Sequence, residues 1–553
     1  MPDRNALKQH MPNPSRRGFL AASAVASAGT LAIPRLSSAQ TPSELNSLTL
    51  KQAAAGIKSK KFSPVDLTEA CFDSIKNWNP KINAWITVLR EKALAQARVL
   101  TEEQAAGRLR SPLHGIPIGI KDSIDILGTR TTAASAVYEY RFPTEDSEVV
   151  RRLRAAGAVL VGKNNMHEFD AGTSSAVSYW GPVRNPWNLE RIAGGPSGGS
   201  AAAVAMNNCF AAIGTDTAGG LRIPAAICGV TGFKPSYGRI SLRGIVPFAW
   251  SLDHCGPIAR SVEDAALVFQ QIAGYDYLDI DCLDKPVPDY LAALESPVAQ
   301  FRIGLAPQFF DHLDDEIARA VDDAIALLNR LTKGTREVAL PSLLRAGASA
   351  EIAAYHENVR GVNGGVFEPS TARVFPTGPD TTRAVDYIRA WRELALIRRT
   401  VNEDVFTKQG VDVLVAPAMR HPPALIEDEL NPGGGAPGGG GGRGGRAATG
   451  TTPTPTPAPA APSTTSRASV DPESNTRPFN GYGLPVISIP CGFSKDGLPI
   501  GLQIAGPLFA ETKVLALAHA YQQATEWHKR RPGLTPETKV PVLSKASAEQ
   551  TGS

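Results

Sequence analysis

The chain has 553 residues, 42% of them hydrophobic and 20% charged. These are proportions of a globular chain long enough for a large core, and they exclude a wholly disordered chain, a collagen and a disulfide-dense miniature fold. The net charge of +4 equals that of residues 1–39, where Arg4, Lys8, Arg16, Arg17 and Arg35 stand against Asp3, so the remainder is near neutral and no basic stripe for nucleic acid is expected.

At the N-terminus, Ser15-Arg16-Arg17-Gly18-Phe19-Leu20 leads into an uncharged, Ala-rich stretch to Ile33, with small residues at Ser37-Ser38-Ala39. That layout predicts a twin-arginine signal peptide over 1–39 and export to the periplasm of a Gram-negative bacterium. No later stretch has eighteen uninterrupted apolar residues, so no membrane span is expected. The six cysteines are widely spaced without a CxxC pair. No zinc or iron–sulfur pattern results, and neither a metal nor a cofactor is expected.

Residues 41–110 read as mostly helical. Ser63-Pro64-Val65-Asp66 opens one helix with a cap and a first-turn proline, and a second is predicted over roughly 90–106. Ile116, Ile118 and Ile120 alternate before Lys121-Asp122, as in a short strand. A helix over 146–157 ends at Gly157, and Ala158–Val161 is a buried strand. This strand–helix–strand order predicts an α/β fold. Gly194-Gly195-Pro196-Ser197-Gly198-Gly199-Ser200 precedes a helix at Ala201–Ala205, Ala211–Gly214 is a strand, and Thr215–Gly220 is a tight turn. Glycine-rich turns at the ends of buried strands are places where sites form. Strands are expected at 301–305 and 411–417, and helices at 314–330 and 511–529. A single domain over 40–530 is expected, interrupted at 431–469 by a Gly/Pro/Thr-rich insertion too poor in apolar residues to order itself. Residues 531–553 form a tail.

Several ordered segments carry a family resemblance. They are His114–Asp122, Gly157–Phe169, Gly194–Ser200, Gly214–Pro235, Ser251–Pro257 and, late in the chain, Gly483–Gly492 and Gly497–Gln503. On these the chain resembles the amidase signature family over roughly 60–530. The resemblance implies an α/β fold with a mixed central sheet flanked by helices, and hydrolysis of carbon–nitrogen bonds in small amides by a serine, a second serine on a cis peptide, and a lysine base. Lys121 falls on the base. The cis serine falls on Pro196 and the nucleophile on Gly220. Both substitutions keep backbone shape and delete a hydroxyl, so standard triad catalysis is expected to be lost.

Besides a purely structural or partner-stabilising role, two functions stay open. One is an amide hydrolase with rerouted chemistry. A hydroxyl of Thr217, Ser197 or Ser200 could stand in, or Lys121 could activate water in the space that the missing side chains leave, with an oxyanion hole from the backbone of Thr217, Ala218, Gly219 and Gly220. The other is a catalytically silent exported relative binding an amide-like or peptide ligand or a protein partner. Transamidation of charged transfer RNA is disfavoured by export and by the neutral charge. Structural roles are assigned to several residues. Lys121 can pair with Asp122, Asp216 or another carboxylate. Asp216 and Arg222 brace the turn, Asn165, Met166 and Glu168 shape the adjacent loop, His254 is a hydrogen-bonding residue, and Cys228 and Cys491 fill core. The oligomeric state is not legible.

Overall fold

The computed structural model describes residues 41–343, 348–359, 366–375, 382–431 and 475–543. The expected signal peptide, and all of the expected insertion but Asn431, lie outside the described residues, as does the tail beyond Leu543.

The strands are β1 (Trp85–Val88), β2 (Pro117–Lys121), β3 (Val159–Asn164), β4 (Arg184–Asn185), β5 (Asn188–Ile192), β6 (Ala211–Thr215), β7 (Thr231–Lys234), β8 (Cys255–Ala259), β9 (Ile303–Leu305), β10 (Thr335–Glu337), β11 (Val413–Pro417), β12 (Val486–Phe493) and β13 (Pro499–Ala505). Among the described residues eleven of them form one mixed sheet in the order β1-β3-β2-β6-β8-β7-β12-β13-β11-β9-β10, and β4 and β5 pair apart from it. The fold is therefore α/β, a mixed central sheet flanked by helices, as the resemblance implies. β2 lies between β3 and β6 and runs parallel to both, so the carboxyl ends of three consecutive neighbours point the same way. Crevices beyond such ends are the usual place for a ligand in an open α/β sheet.

Alternation along the strands divides the core into two layers. Leu160, Ala211 and Ile213 face the layer that holds the helices Val262–Ile272 and Glu511–Gln523. Val159, Val161 and Ala212 face the other, with Phe72, Ile75 and the alanines of the helix Gly198–Ala205. The helix Pro64–Ile82 starts where its cap requires: the Ser63 hydroxyl accepts from the Asp66 N–H, and the Asp66 carboxylate reaches back to the Ser63 N–H, satisfying two of the donors a helix start leaves open. The expected strand at 158–161 runs on to Asn164, because its edges are paired on both sides by β1 and β2. The expected helix 511–529 ends at Gln523 and resumes as a short 3-10 turn at Trp527–Lys529. All six cysteines are buried and unpaired. Among the described residues no helix is long and apolar enough to cross a membrane.

The helix Gly198–Ala205 starts one turn earlier than its alanines, and Gly199 is the reason it docks. A Cβ there would meet the backbone oxygens of Asn165 at 2.2 Å and Ala84 at 2.7 Å. Gly→Ala inside an exposed helix gains about 1 kcal/mol. Here the sign reverses: Gly199→Ala is expected to cost about 1–3 kcal/mol through overpacking against rigid backbone, read as a lower midpoint in urea denaturation.

Candidate active site

The carboxyl ends of the three parallel strands bring the first group of side chains together. Lys121 is the last residue of β2 and Thr215 the last of β6. β3 leads through a loop to Asp170. Phe169 and Asp170 both adopt left-handed backbone, with φ of 47° and 61°, a conformation uncommon for residues other than glycine. That turn aims the Asp170 carboxylate at Lys121. The Lys121 ammonium, fully buried, donates to Asp170 and, at 2.5 Å, to the Thr215 hydroxyl. The Thr215 hydroxyl donates onward to Asp170 at 3.1 Å. Burial pulls the lysine pKa below its ordinary value, against the opposing pull of Asp170 and, further off, of Asp253 and Asp216. Asp122 takes no part in this: it accepts from Thr132 and faces the Lys163 ammonium at 3.3 Å.

The turn after β6 is held by a second buried group. The two Asp216 oxygens each accept from the Arg222 guanidinium at 2.9 Å, as well as from the backbone N–H of Gly219 at 2.8 Å and of Leu221 at 3.1 Å. Asn480 adds a further bond at 2.8 Å. The Arg222 and Lys234 charges and these bonds hold the Asp216 carboxyl far below the usual carboxylate range, overcoming its burial. Asp216 and Arg222 thus brace the turn. The bracing alters the expected oxyanion hole. Gly219 has spent its N–H on Asp216, while those of Thr217, Ala218 and Gly220 meet no acceptor among the described residues.

The Thr217 hydroxyl donates to the Asp253 carboxylate at 2.5 Å. Asp253 also accepts from the backbone N–H of Phe248 at 2.9 Å and of Ala249 at 3.1 Å. Burial pushes its carboxyl up to about 7, with the nearby Asp170 charge adding to the push and the three donors opposing it. Asp170, Pro196 and Thr217 through Gly220 line a cavity of about 750 Å³, continued by Phe248, Ser251 and Leu252.

At the two substituted positions the expected vacancy does not exist. The Gly195–Pro196 peptide is cis. A Cβ built on Gly220 would lie 2.5 Å from the Thr215 carbonyl oxygen and 2.7 and 2.9 Å from Cδ and Cγ of Pro196. The proline ring occupies the volume a side chain at 220 would need, which removes the expectation that Lys121 activates a water held there. Ser197 and Ser200 do not line the cavity. The Ser197 hydroxyl donates to the Thr215 carbonyl at 3.0 Å and accepts from the Thr215 N–H at 3.2 Å. The Ser200 hydroxyl donates to the Ile213 carbonyl at 3.3 Å. Both tie the helix Gly198–Ala205 to β6.

The other singled-out residues support the loop. Asn165 donates to the carbonyls of Asn83 and Gly181 and accepts from the Ser178 hydroxyl. Met166 and Phe169 pack with Val246 and Phe375. His254 is buried, bonds through Nδ1 to the Leu252 carbonyl at 2.7 Å, and burial keeps its ring pKa far below the ordinary value. Cys228 is packed in core with its thiol toward the Ala193 carbonyl. Sequence reasoning gave no role to Asp170, Thr215 or Asp253. Thr215 and Asp253 do stand in the family-like segments Gly214–Pro235 and Ser251–Pro257, but their partners Lys121 and Thr217 lie 94 and 36 residues earlier.

The profile of the family described as Amidase matches residues 66–435 and 447–515. The chain is 39% identical over 511 residues to a subunit of the Glutamyl-tRNA(Gln) amidotransferase of Methylococcus capsulatus, covering 88% of this chain and 98% of that protein. Among solved structures it is similar to the peptide amidase of Stenotrophomonas maltophilia (28% identity, TM-score 0.70, 91% of this chain and all of that one). It is likewise similar to the 6-aminohexanoate cyclic dimer hydrolase (28% identity, TM-score 0.73, 88% and 99%). These near full-length likenesses to enzymes correct the expectation of a catalytically silent relative that only binds a ligand or partner. A missing hydroxyl at two positions is not evidence of a silent pocket when another hydroxyl, paired with a carboxylate, lines it. The exclusion of nucleic acid is corrected too, since the first of these relatives bears Glutamyl-tRNA(Gln) in its name. Near-neutral net charge is a whole-chain property and does not describe a local surface. The same likeness lends no support to twin-arginine export.

Two outcomes test this geometry. Gly220→Ser alone should lower stability by about 1–3 kcal/mol through overpacking, and Pro196→Ser in the same chain should restore part of the loss; an equally stable single variant would contradict the clash. The second concerns Glu168, which is buried and accepts from the Ser135 hydroxyl at 2.5 Å and the Glu368 N–H at 2.9 Å. Burial pushes its carboxyl up to about 7. The folded chain holds this proton more tightly than the unfolded one, so the contribution is fully present below the unfolded value and is lost as pH rises through about 7. The stability of the wild type relative to Glu168→Gln should therefore fall between about pH 4.5 and pH 8, by up to about 3 kcal/mol, in paired denaturation curves.

Proposed function

Since the chain belongs to the amidase family, we propose that it is an enzyme that breaks the carbon–nitrogen bond of a carboxamide. The observation that carries this reading is the turn after β6. It places Ala218 and Gly220, whose N–H groups meet no acceptor among the described residues, in the lining of a cavity of about 750 Å³, beside the buried Lys121–Asp170–Thr215 group. Such donors stabilise the charge that develops on a carbonyl oxygen when its carbon is attacked. Each is worth about 10²–10³ in rate where it has been removed in other enzymes. Asp216, paired with Arg222, takes the N–H groups of Gly219 and Leu221 and leaves those of Ala218 and Gly220. Lys121 supplies a buried positive charge balanced by Asp170, and the Thr215 hydroxyl joins the two.

A second reading is favoured by the 39% identity to an amidotransferase subunit over 98% of that protein's length. In it the released nitrogen passes to Glu-tRNA(Gln), with nucleic acid and further subunits as partners.

The readings separate in one assay series. Ammonia release by the purified chain is followed with glutamine, peptide amides and aryl amides, with and without Glu-tRNA(Gln). Release from simple amides without tRNA favours the first reading, and glutamine turnover raised by Glu-tRNA(Gln) the second. In either case Lys121→Ala, checked for folding by its thermal transition, should lose about 10²-fold or more. Unchanged turnover in Lys121→Ala would remove Lys121 from the chemistry, and no turnover of any amide by the folded wild type would remove the amide-cleaving assignment.

A further inference from the structure

Resting on the amide-cleaving reading, we infer that Thr217 is the attacking nucleophile and Asp253 the base that takes its proton. No side chain at 196 or 220 can supply a hydroxyl, and those of Ser197 and Ser200 are spent on the backbone of β6. Thr217 lines the cavity of about 750 Å³, and its hydroxyl donates at 2.5 Å to Asp253, which lines the adjoining cavity of about 670 Å³; the other hydroxyl there on a carboxylate, that of Thr215, is held between Asp170 and the Lys121 ammonium. The Thr217–Asp253 spacing is the one an alcohol and its base require. The base is itself oriented: the Phe248 N–H donates to one Asp253 oxygen, the Ala249 N–H is shared between both, and Thr217 donates to the second. The third element of an acyl-transfer site stands in the same turn. The N–H groups of Ala218 and Gly220 are uncommitted within three residues of the hydroxyl. A carboxyl that loses its proton only near pH 7 is a stronger base than an ordinary aspartate, which suits it to a poorly acidic alcohol.

The step balances without a co-reactant other than water. The Thr217 oxygen forms a bond to the amide carbon as its proton passes to Asp253, and the carbonyl oxygen takes the negative charge against the N–H groups. The carbon–nitrogen bond then breaks and the leaving nitrogen takes the proton from Asp253, leaving an ester on Thr217. Water attacks the ester carbon, gives a proton to Asp253, and the threonine oxygen leaves and recovers that proton. The products are the carboxylic acid and the amine or ammonia.

The test uses the full-length protein with an alkyl fluorophosphonate and with the best amide from the panel above. The expected result is a stoichiometric mass increase on the peptide containing Thr217. Thr217→Ser should keep turnover within about 10-fold and label at position 217. Thr217→Val and Asp253→Asn, each with a cooperative thermal transition, should lose both label and about 10³-fold in turnover. Turnover in Thr217→Val near the wild-type level, or a label on another side chain, overturns the assignment of Thr217 while leaving amide cleavage standing. A folded wild type inert toward every amide and toward the fluorophosphonate overturns both.

Discussion

The pairing of Asp216 with Arg222 is the constraint on which the site depends. Both side chains are fully buried, and a buried ion pair is tolerable only when its remaining lone pairs and protons are satisfied. Here they are, by elements far apart in the chain. Arg222 also donates to the Thr476 carbonyl and to the side chains of Gln503 and Asn480. Asp216 takes the N–H groups of Gly219 and Leu221. One ion pair thereby fastens the end of β6, the helix Arg222–Cys228, the segment that resumes at Asn475, and β13. It also decides which backbone donors of the turn are used up and which remain for a ligand.

The same turn explains why the two substituted positions belong together. Gly220 leaves no room for a side chain because the Pro196 ring and the Thr215 carbonyl fill the space. The pair is a packed unit, with the proline ring filling the space beside Gly220. Chemistry that needs a hydroxyl has to find it elsewhere on the loop. Thr217 lies on the turn's other side, against Asp253.

Charge is arranged with similar economy at the ends of β2 and β6. Lys121 would be costly to bury alone. Asp170 meets it through a left-handed turn, and Thr215 joins the two oxygens and the ammonium into a closed triangle of bonds. The group sits behind the cavity wall, where Asp170 is the member that reaches the lining. Its field also reaches Asp253, which the Asp170 charge helps to keep protonated. Asp170 and Asp253 are therefore coupled, although one is paired with a cation and the other with a hydroxyl.

Much of the fold was legible in the sequence because it is written locally. The Ser63 cap, the alternation of Ile118 and Ile120 and the glycine spacing from 194 to 220 each reflect physics acting within a few residues. The ordered motifs placed Lys121, Pro196 and Gly220, and Asp216 with Arg222 six residues on. Only the tertiary structure decided what those positions do. Whether the gap at Gly220 is empty or filled depends on a ring 24 positions earlier. Which carboxylate meets Lys121 depends on the backbone sign at Asp170, and whether Thr217 is a spectator or has a base depends on a loop that comes back only after β7. Contacts between residues distant in the chain carry no periodic signal, so a single sequence records which groups are available, and packing determines which of them touch.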